Sequence, residues 1–496
     1  MSIEQVVDIV YSKEFANWKQ DNRKALESLF GAQQGRYHAD AARTVQLRAP
    51  DVNFKTGIPF AAYINPNNPD SGPYGGFSFV IFPSESKPAL IGLVVGTQGL
   101  APDEAILGRP GHARKSQAIC GWLNAKFGHG RQVAWAKQDP TRTDINMPDL
   151  PEDWADFKSV CKRYGQVIYA IFKPMEDDKV ATREAVAAFL DLMFEERGYP
   201  TNAPNARDAR KIRDEWHEHL MPDLTRADVK KLLDDKRFVV IQGPPGTGKT
   251  RMAQELLDVE FNGSGKIIQL HPNSTYETFI GGLAPLRSEQ GIGLQFAPKA
   301  GFLMEAAKGA AAVSNPYLLV VDEINRADLS KILGEAIFLL EPHPSKKREI
   351  ELPYDFGAPF HTKLAIPENL FIVGTMNTAD RSIAIVDVAI RRRFAFLSLW
   401  PQSSVVRNNA CQLMQDHFEK VVDIFIENAQ DDAFNLVPGH SYFLEEDPEK
   451  AKTSLQTGLA PLLEEYLAQG YVGGFSEQVR AYLQELRSLK GKQDAS

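Results

Sequence analysis

The stretch Gly243-Pro244-Pro245-Gly246-Thr247-Gly248-Lys249-Thr250 decides the fold of the central part of this chain. It satisfies the pattern G-x-x-x-x-G-K-[ST], in which the backbone N–H groups of a glycine-rich loop surround phosphate oxygens. The apolar run 238–241 before it predicts a buried strand, and residues 251–260 after it predict a helix. A strand, this loop and a helix in that order predict a phosphate-binding loop, because a helix N-terminus attracts anions.

All eight residues of the loop are predicted nucleotide contacts. Lys249 is expected to reach the β- and γ-phosphates, and Thr250 is expected to ligate Mg²⁺. The alternative is a Gly/Pro-rich turn without a ligand, which the flanking strand and helix disfavour. The sequence therefore predicts a protein that binds a nucleoside triphosphate.

A second apolar run, residues 318–321, ends in the carboxylates Asp322 and Glu323. This is a Walker B arrangement, in which Asp322 holds Mg²⁺, directly or through water. Glu323 then polarises the attacking water as general base. The alternative is a solvent-exposed strand end, which the phosphate-binding loop upstream makes the weaker interpretation.

A third apolar run, residues 370–375, leads to Asn377. Ligands of open α/β sheets bind at the carboxyl ends of the strands, so Asn377 is placed to orient a water molecule. Its alternative is a turn residue that only ends the strand. The three motifs together predict an α/β AAA+ module with a parallel sheet.

Length and composition limit the number of domains, the class of protein and the cellular compartment. A chain of 496 residues predicts two to four domains, and 43% hydrophobic with 24% charged residues is typical of globular proteins. The net charge of −8 argues against a uniformly basic coat but allows a local basic patch. The three separated cysteines, the lack of a membrane-length apolar run and the lack of a signal peptide predict a cytoplasmic protein without a membrane segment.

Changes in composition and hydrophobic periodicity along the chain predict four parts. Residues 1–200 are expected to form an α+β target-recognition domain, with helical periodicity over 3–30 and short β-rich runs over 45–96. The Pro- and Asn-containing segment 198–208 is the best linker candidate, and a charged helical segment over 209–220 follows it within the predicted linker, 201–223. Residues 224–400 are the AAA+ domain, and 401–496 are a helical lid with C-terminal helices.

The run Met376-Asn377-Thr378-Ala379-Asp380-Arg381-Ser382 resembles the signature of the McrB family. These proteins are the GTP-hydrolysing motor subunits of modification-dependent (type IV) restriction systems. The resemblance covers residues 236–466, under half of the chain, and four further stretches agree with it in order. They are His271-Pro272-Asn273-Ser274-Thr275-Tyr276-Glu277-Thr278-Phe279-Ile280-Gly281-Gly282, Asp322-Glu323-Ile324-Asn325-Arg326-Ala327, Arg391-Arg392-Arg393-Phe394 and Gly439-His440-Ser441-Tyr442-Phe443.

The resemblance implies roles for further residues. Asn377 positions water together with Glu323, and Arg392 and Arg393 are arginine fingers offered to a neighbouring subunit's nucleotide. Such fingers imply a ring, in this family a hexamer; the alternative for the arginine run is a solvated basic helix end. Arg381 and Arg326 are weaker candidates for interface or relay roles.

The resemblance also implies a cofactor and partners. The expected cofactors are GTP and Mg²⁺, with ATP left open because a phosphate-binding loop does not select the base. No nuclease motif is apparent in the chain, so DNA cleavage implies a separate McrC-like endonuclease. The N-terminal domain is then expected to recognise DNA, modified in this family.

Residues 105–138 contain no Asp or Glu, whereas Lys and Arg alternate there with Trp122, Phe127 and Trp135. Cations bind phosphates and rings stack on unpaired bases, so this window predicts a nucleic-acid surface. The alternative places Trp122 and Trp135 in the core and the cations on a solvated face. The ligand of this domain could then be a protein instead of DNA.

Three functions remain open on the sequence. The first is a McrB-like GTP-driven motor in restriction or anti-phage defence, with its nuclease on another chain. The second is an AAA+ ATP-dependent protein-remodelling chaperone whose N-terminal domain binds a client. The third is a nucleotide-gated switch that hydrolyses slowly, which requires an unproductive Glu323 or arginine run.

Overall fold

A computed structural model describes residues 2–286, 295–341, 348–379 and 387–489 of the chain. The chain divides into two compact units. The first comprises Met1–Pro222 and Ile426–Ala429, and the second comprises Asp223–Phe425 and Gln430–Ser496.

A six-stranded antiparallel sheet organises the first unit, in the order β1-β2-β3-β4-β6-β5. Successive side chains of a strand point to opposite faces, and in β3 both faces are buried. Phe79 and Ile81 enter one apolar cluster, whereas Val80 and Phe82 enter another on the opposite face. The strands are β1 (Gln46–Arg48), β2 (Ala61–Ile64), β3 (Phe77–Phe82), β4 (Leu90–Val95), β5 (Ala134–Ala136) and β6 (Ile168–Phe172).

Seven α-helices surround this sheet. The segment 3–30, for which helical periodicity was predicted, forms two helices, α1 and α2. The helix is interrupted around Phe15. The ring of Phe15 packs 5.8 Å from the ring of Trp18 and 5.4 Å from that of Phe54. The helices are α1 (Ser2–Tyr11), α2 (Trp18–Ser28), α3 (Glu104–Leu107), α4 (Pro110–Phe127), α5 (Lys158–Tyr164), α6 (Lys179–Glu196) and α7 (Ala206–Leu220).

Most of the predicted linker over 201–223 is the helix α7, which contains the charged helical segment predicted over 209–220. Ile212 and Trp216 lie four residues apart on one face of this helix and are buried in the core of the first unit. The sequence predicted the helix but not its packing into the core, because two apolar side chains among many charged ones are a weak signal of burial. The division between the units falls between Pro222 and Asp223.

A five-stranded parallel sheet organises the second unit, in the order β15-β7-β14-β11-β8. Strand β14 lies between β7 and β11, so the carboxyl ends of all three strands meet at one edge. This is the α/β AAA+ architecture that the motifs predicted. The strands are β7 (Phe238–Gly243), β8 (Gly265–Gln269), β11 (Tyr317–Asp322), β14 (Leu370–Asn377) and β15 (Ala395–Ser398).

Two short antiparallel pairs complete the strands of this unit. They are β9 (Gly281–Leu286) with β10 (Gln295–Ala300), and β12 (Ile350–Glu351) with β13 (Lys363–Leu364). The helices that accompany the parallel sheet are α8 (Arg226–Lys236), α9 (Lys249–Glu255), α10 (Tyr276–Phe279), α11 (Phe302–Ala311), α12 (Leu329–Leu333) and α13 (Val388–Arg393).

Residues 401–489 are mainly helical, as the sequence predicted. Its helices are α14 (Ser403–Asn409), α15 (Gln412–Asn428), α16 (Asp431–Phe434), α17 (Pro448–Ser454), α18 (Ala460–Ala468) and α19 (Ser476–Ser488). Across the residues that the model describes, none of the helices is long and apolar enough to cross a membrane.

Candidate functional site

The phosphate-binding loop connects the end of β7 to the start of α9. Gly246 and Gly248 both have a φ of 78°, a left-handed conformation that glycine adopts without strain. The buried ammonium of Lys249 donates to the carbonyls of Gly243, at 3.0 Å, and Pro244, at 2.6 Å. The loop therefore curls around one positive charge, next to the N-terminus of a helix.

Thr250 and Asp322 meet at the edge of the sheet, as a shared Mg²⁺ site requires. The hydroxyl of Thr250, in the first turn of α9, donates to Oδ1 of Asp322 at 2.8 Å. The hydroxyl of Thr375 donates to the same oxygen at 2.5 Å. Hydroxyl and carboxylate oxygens are ligands that Mg²⁺ accepts, so the residues present fit this cation. Thr375 was missed in the sequence because it ends an apolar run that carried no polar pattern.

Glu323 follows β11 and is held by the end of β14. Nδ2 of Asn377 donates to Oε1 of Glu323 at 2.8 Å, and the backbone N–H of Glu323 donates to Oγ1 of Thr375 at 3.1 Å. Nε of Arg326 lies 3.3 Å from Oε2 of the same carboxylate. The structure thus brings Glu323 and Asn377 into direct contact, and Arg326 forms an ion pair with Glu323.

The arginine run ends α13, and its members differ in environment. Arg392 is exposed, whereas Arg393 is half-buried and donates from Nη1 to the carbonyl of Ala389 at 2.9 Å. Arg391 is exposed and its guanidinium lies 5.2 Å from the centre of the Phe396 ring. Of the two predicted fingers, only Arg392 projects into solvent. Arg381 lies outside the described residues.

The segment Gly439–Tyr442, here called the strap, packs directly on the phosphate-binding loop. The backbone N–H groups of Gly439 and Ser441 donate to the carbonyls of Pro245 and Gly246, each at 3.0 Å. A Cβ at Gly439 would lie 2.1 Å from the carbonyl carbon of Gly246, so only glycine fits. The strap carried a family resemblance in the sequence but no predicted role.

Lysines of the cationic window 105–138 are paired within the fold and are therefore less available for phosphates than the sequence predicted. Its lysines are engaged inside the first unit: Nζ of Lys115 lies 2.6 Å from Glu196, and Nζ of Lys126 lies 2.6 Å from both Glu184 and Glu215. Trp122 is buried, as the alternative required, whereas Trp135 is half-buried. The acids that pair with these lysines come from segments outside the window, which favours the alternative.

A cavity of about 570 Å³ lies on the other side of this unit, against β3 and β4. Aromatic rings, Phe60, Tyr74, Phe82 and Tyr164, contribute much of its wall. The cations Lys19, Arg48 and Arg163 line it as well, against the single carboxylate of Asp70. This combination of rings and cations, here called the sheet cavity, was not predicted from the sequence because its lining comes from seven separate segments.

Comparison with known proteins assigns the family. The model of the AAA domain (dynein-related subfamily) matches residues 238–394. The "Type IV methyl-directed restriction enzyme EcoKMcrB subunit" of Escherichia coli (strain K12) is 30% identical over 360 residues, which cover 64% of this chain and 75% of that protein. The chain belongs to the McrB family of restriction-system subunits. It is accordingly a nucleoside triphosphatase of the AAA+ type that uses Mg²⁺.

Two other proteins align with this McrB-like chain. The "Type II restriction enzyme BsuMI component YdiS" of Bacillus subtilis (strain 168) is 27% identical over 192 residues, or 32% of this chain and 55% of that protein. A solved structure of a putative ATPase from Cytophaga hutchinsonii superposes with 13% sequence identity and a TM-score of 0.22. The match covers 52% of this chain and 85% of the chain in that structure. That superposition is too loose to bear on the fold.

Proposed function

We propose that this McrB-like chain is the GTP-hydrolysing motor of a restriction system that defends against phage. The observation that carries the proposal is the contact between Glu323 and Asn377 beside the Thr250–Asp322 pair. A carboxylate held by a neutral amide, next to oxygens suited to Mg²⁺, is what activation of water against a phosphate requires.

Each residue of the site has a role in this proposal. The loop from Gly243 to Gly248 and the ammonium of Lys249 bind the phosphates. Thr250 and Asp322 would hold Mg²⁺, which would neutralise negative charge on the phosphates. Glu323 accepts a proton from the attacking water, while Asn377 holds the carboxylate in position. Thr375 positions both acids, because it contacts Asp322 and the backbone of Glu323.

Arg392 is proposed to act on the nucleotide of a neighbouring copy. Its exposure at the end of α13 suits a residue that works across an interface, whereas Arg393 is already bonded to its own helix. A finger in trans needs a closed ring, for which the family resemblance indicates a hexamer. The domain plan, an N-terminal recognition unit followed by the AAA+ module and its helical lid, is part of the same proposal.

GTP is proposed over ATP on the family resemblance, and this choice is open to direct measurement. Steady-state hydrolysis of the two nucleotides, side by side, is expected to favour GTP. Lys249→Ala is expected to lower turnover of either nucleotide by at least about 100-fold, since the charge that binds the phosphates is lost. Lys236→Ala, an exposed lysine at the end of α8, is the control and is expected to leave turnover unchanged.

Other outcomes assign the chain differently. ATP-selective turnover that rises with a client protein and not with DNA would favour the AAA+ remodelling chaperone. Turnover that does not respond to any McrC-like endonuclease would contradict the motor assignment. Slow turnover with tight binding would instead indicate a nucleotide-gated switch.

The partners proposed for the chain are an McrC-like endonuclease and DNA carrying a modified base. The sheet cavity supports the second partner. Its volume suits a ligand of the size of a nucleotide, its rings can stack on a base, and its cations can contact the adjoining phosphates. We therefore place the DNA-recognition site at the sheet cavity and not along residues 105–138.

Arg163→Ala is expected to weaken binding of duplex DNA containing 5-methylcytosine by about tenfold, because one phosphate contact at the cavity is removed. The matched control is Lys162→Ala, the exposed neighbour that does not line the cavity. Fluorescence anisotropy with methylated and unmethylated duplexes measures both. Equal effects of the two substitutions, or no DNA binding by the unaltered protein, would contradict the proposed site.

A further inference from the structure

His440 lies in the strap and is buried, with 8% of its surface exposed. Its Nδ1 accepts a hydrogen bond from the backbone N–H of Gln402 at 3.2 Å. A ring nitrogen that accepts a hydrogen bond carries no proton, so in the neutral ring the proton is on Nε2. The contact with Gln402 therefore fixes which nitrogen of His440 is the donor.

The donor nitrogen faces the phosphate-binding loop. A Cβ built on Gly248 would lie 3.7 Å from Nε2 of His440, and this is the nearest atom it would meet. Within the described ranges of the chain, Nε2 has no hydrogen-bond partner. This nitrogen is not closed off from solvent, so it can donate a hydrogen bond to a ligand that binds at the loop.

Burial keeps the imidazole uncharged at neutral pH. It lowers the pKa of His440 to about 4, and the nearby charge of Arg251 acts in the same direction. The positive charge for the phosphates is supplied by Lys249, whose ammonium donates to the loop carbonyl of Gly243. His440 is thus suited to add a hydrogen bond to an anion without adding charge.

We infer that His440 is a nucleotide-binding residue whose Nε2–H donates to a phosphate oxygen of the triphosphate held by the loop at Gly248. This inference rests on the proposed nucleotide site and extends it to the helical part of the chain. Because the contact is to phosphate, it contributes equally to binding of guanine and adenine nucleotides.

The test compares dissociation constants of fluorescent β,γ-imido analogues of GTP and ATP. His440→Ala is expected to weaken both by the same factor, about tenfold or more, as for a hydrogen bond to a charged group. His440→Gln is expected to recover much of this loss, since the amide nitrogen of glutamine can occupy the position of Nε2. His417→Ala is the control: it removes another buried imidazole of the helical part, one bonded to Tyr482, and it is expected to change neither constant.

Each other result has a defined meaning. Unequal losses for the two bases would overturn the phosphate contact. Losses for His440→Ala that match those for His417→Ala, or that His440→Gln does not reduce, would also overturn it. If Lys249→Ala abolishes binding while His440→Ala does not alter it, only this inference fails. If the unaltered protein binds neither analogue, the proposed function itself fails.

Discussion

Glu323→Gln is expected to lower nucleoside triphosphate turnover by at least about 100-fold while leaving nucleotide affinity within a few fold of the original. The substitution keeps the shape of the side chain and its contact with Asn377, but it removes the oxygen that accepts the proton of water. Affinity is retained because the phosphates are bound by the loop and Lys249. Single-turnover hydrolysis and equilibrium binding, measured on the same preparation, separate the two effects.

The control for this variant is Glu305→Gln, a half-exposed glutamate of α11 that pairs with Lys266. The substitution removes a carboxylate of the same unit that has no role in the proposed hydrolysis. Turnover is therefore expected to stay within about twofold of the original. A Glu323→Gln enzyme that turns over at the original rate would remove Glu323 from the mechanism. Parallel loss of binding and turnover would instead indicate a structural role.

Arg392→Ala is expected to reduce turnover by about 10³-fold, the lower end of the range for arginine fingers. Charge that develops on the γ-phosphate would lose its partner from the neighbouring copy. The matched control is Arg391→Ala, the adjacent exposed arginine whose guanidinium rests on Phe396. Its removal is expected to change turnover only slightly.

Mixing two inactive variants distinguishes action in trans from action in cis. A copy with Arg392→Ala still has Glu323, and a copy with Glu323→Gln still has Arg392. In a mixed ring, some interfaces combine an intact Glu323 with an intact Arg392, so part of the turnover is expected to return. A mixture that stays inactive under conditions in which the copies assemble and exchange would contradict a finger offered across the interface.

The parallel sheet and its motifs were predictable because their signals are local. A glycine-rich loop, an apolar run with two carboxylates and an apolar run ending in Asn377 each occupy a few consecutive residues. Their meeting at one edge follows from parallel strands, whose carboxyl ends point the same way. The contact of Glu323 with Asn377 is the part of the site that this reasoning anticipated.

Features that depend on distant residues were not predictable in the same way. The cations of residues 105–138 looked unpaired because Glu184, Glu196 and Glu215 lie outside that window. The helix α7 was predicted as a charged segment of a linker, but its contacts with the core of the first unit depend on residues distant in the sequence. The strap reaches the loop from almost two hundred residues further along the chain, and no spacing rule connects the two segments.

The backbone of Glu323 is in the left-handed region, with φ at 52° and ψ at 48°. An L-residue with a side chain loses about 1 kcal/mol or more in this conformation, whereas glycine adopts it freely and asparagine tolerates it better. At position 323 the residue that is best for stability therefore differs from the residue that hydrolysis requires. Selection of this protein for thermal stability alone would favour glycine or asparagine at this position. The selected variants would be more stable but would lack the general base.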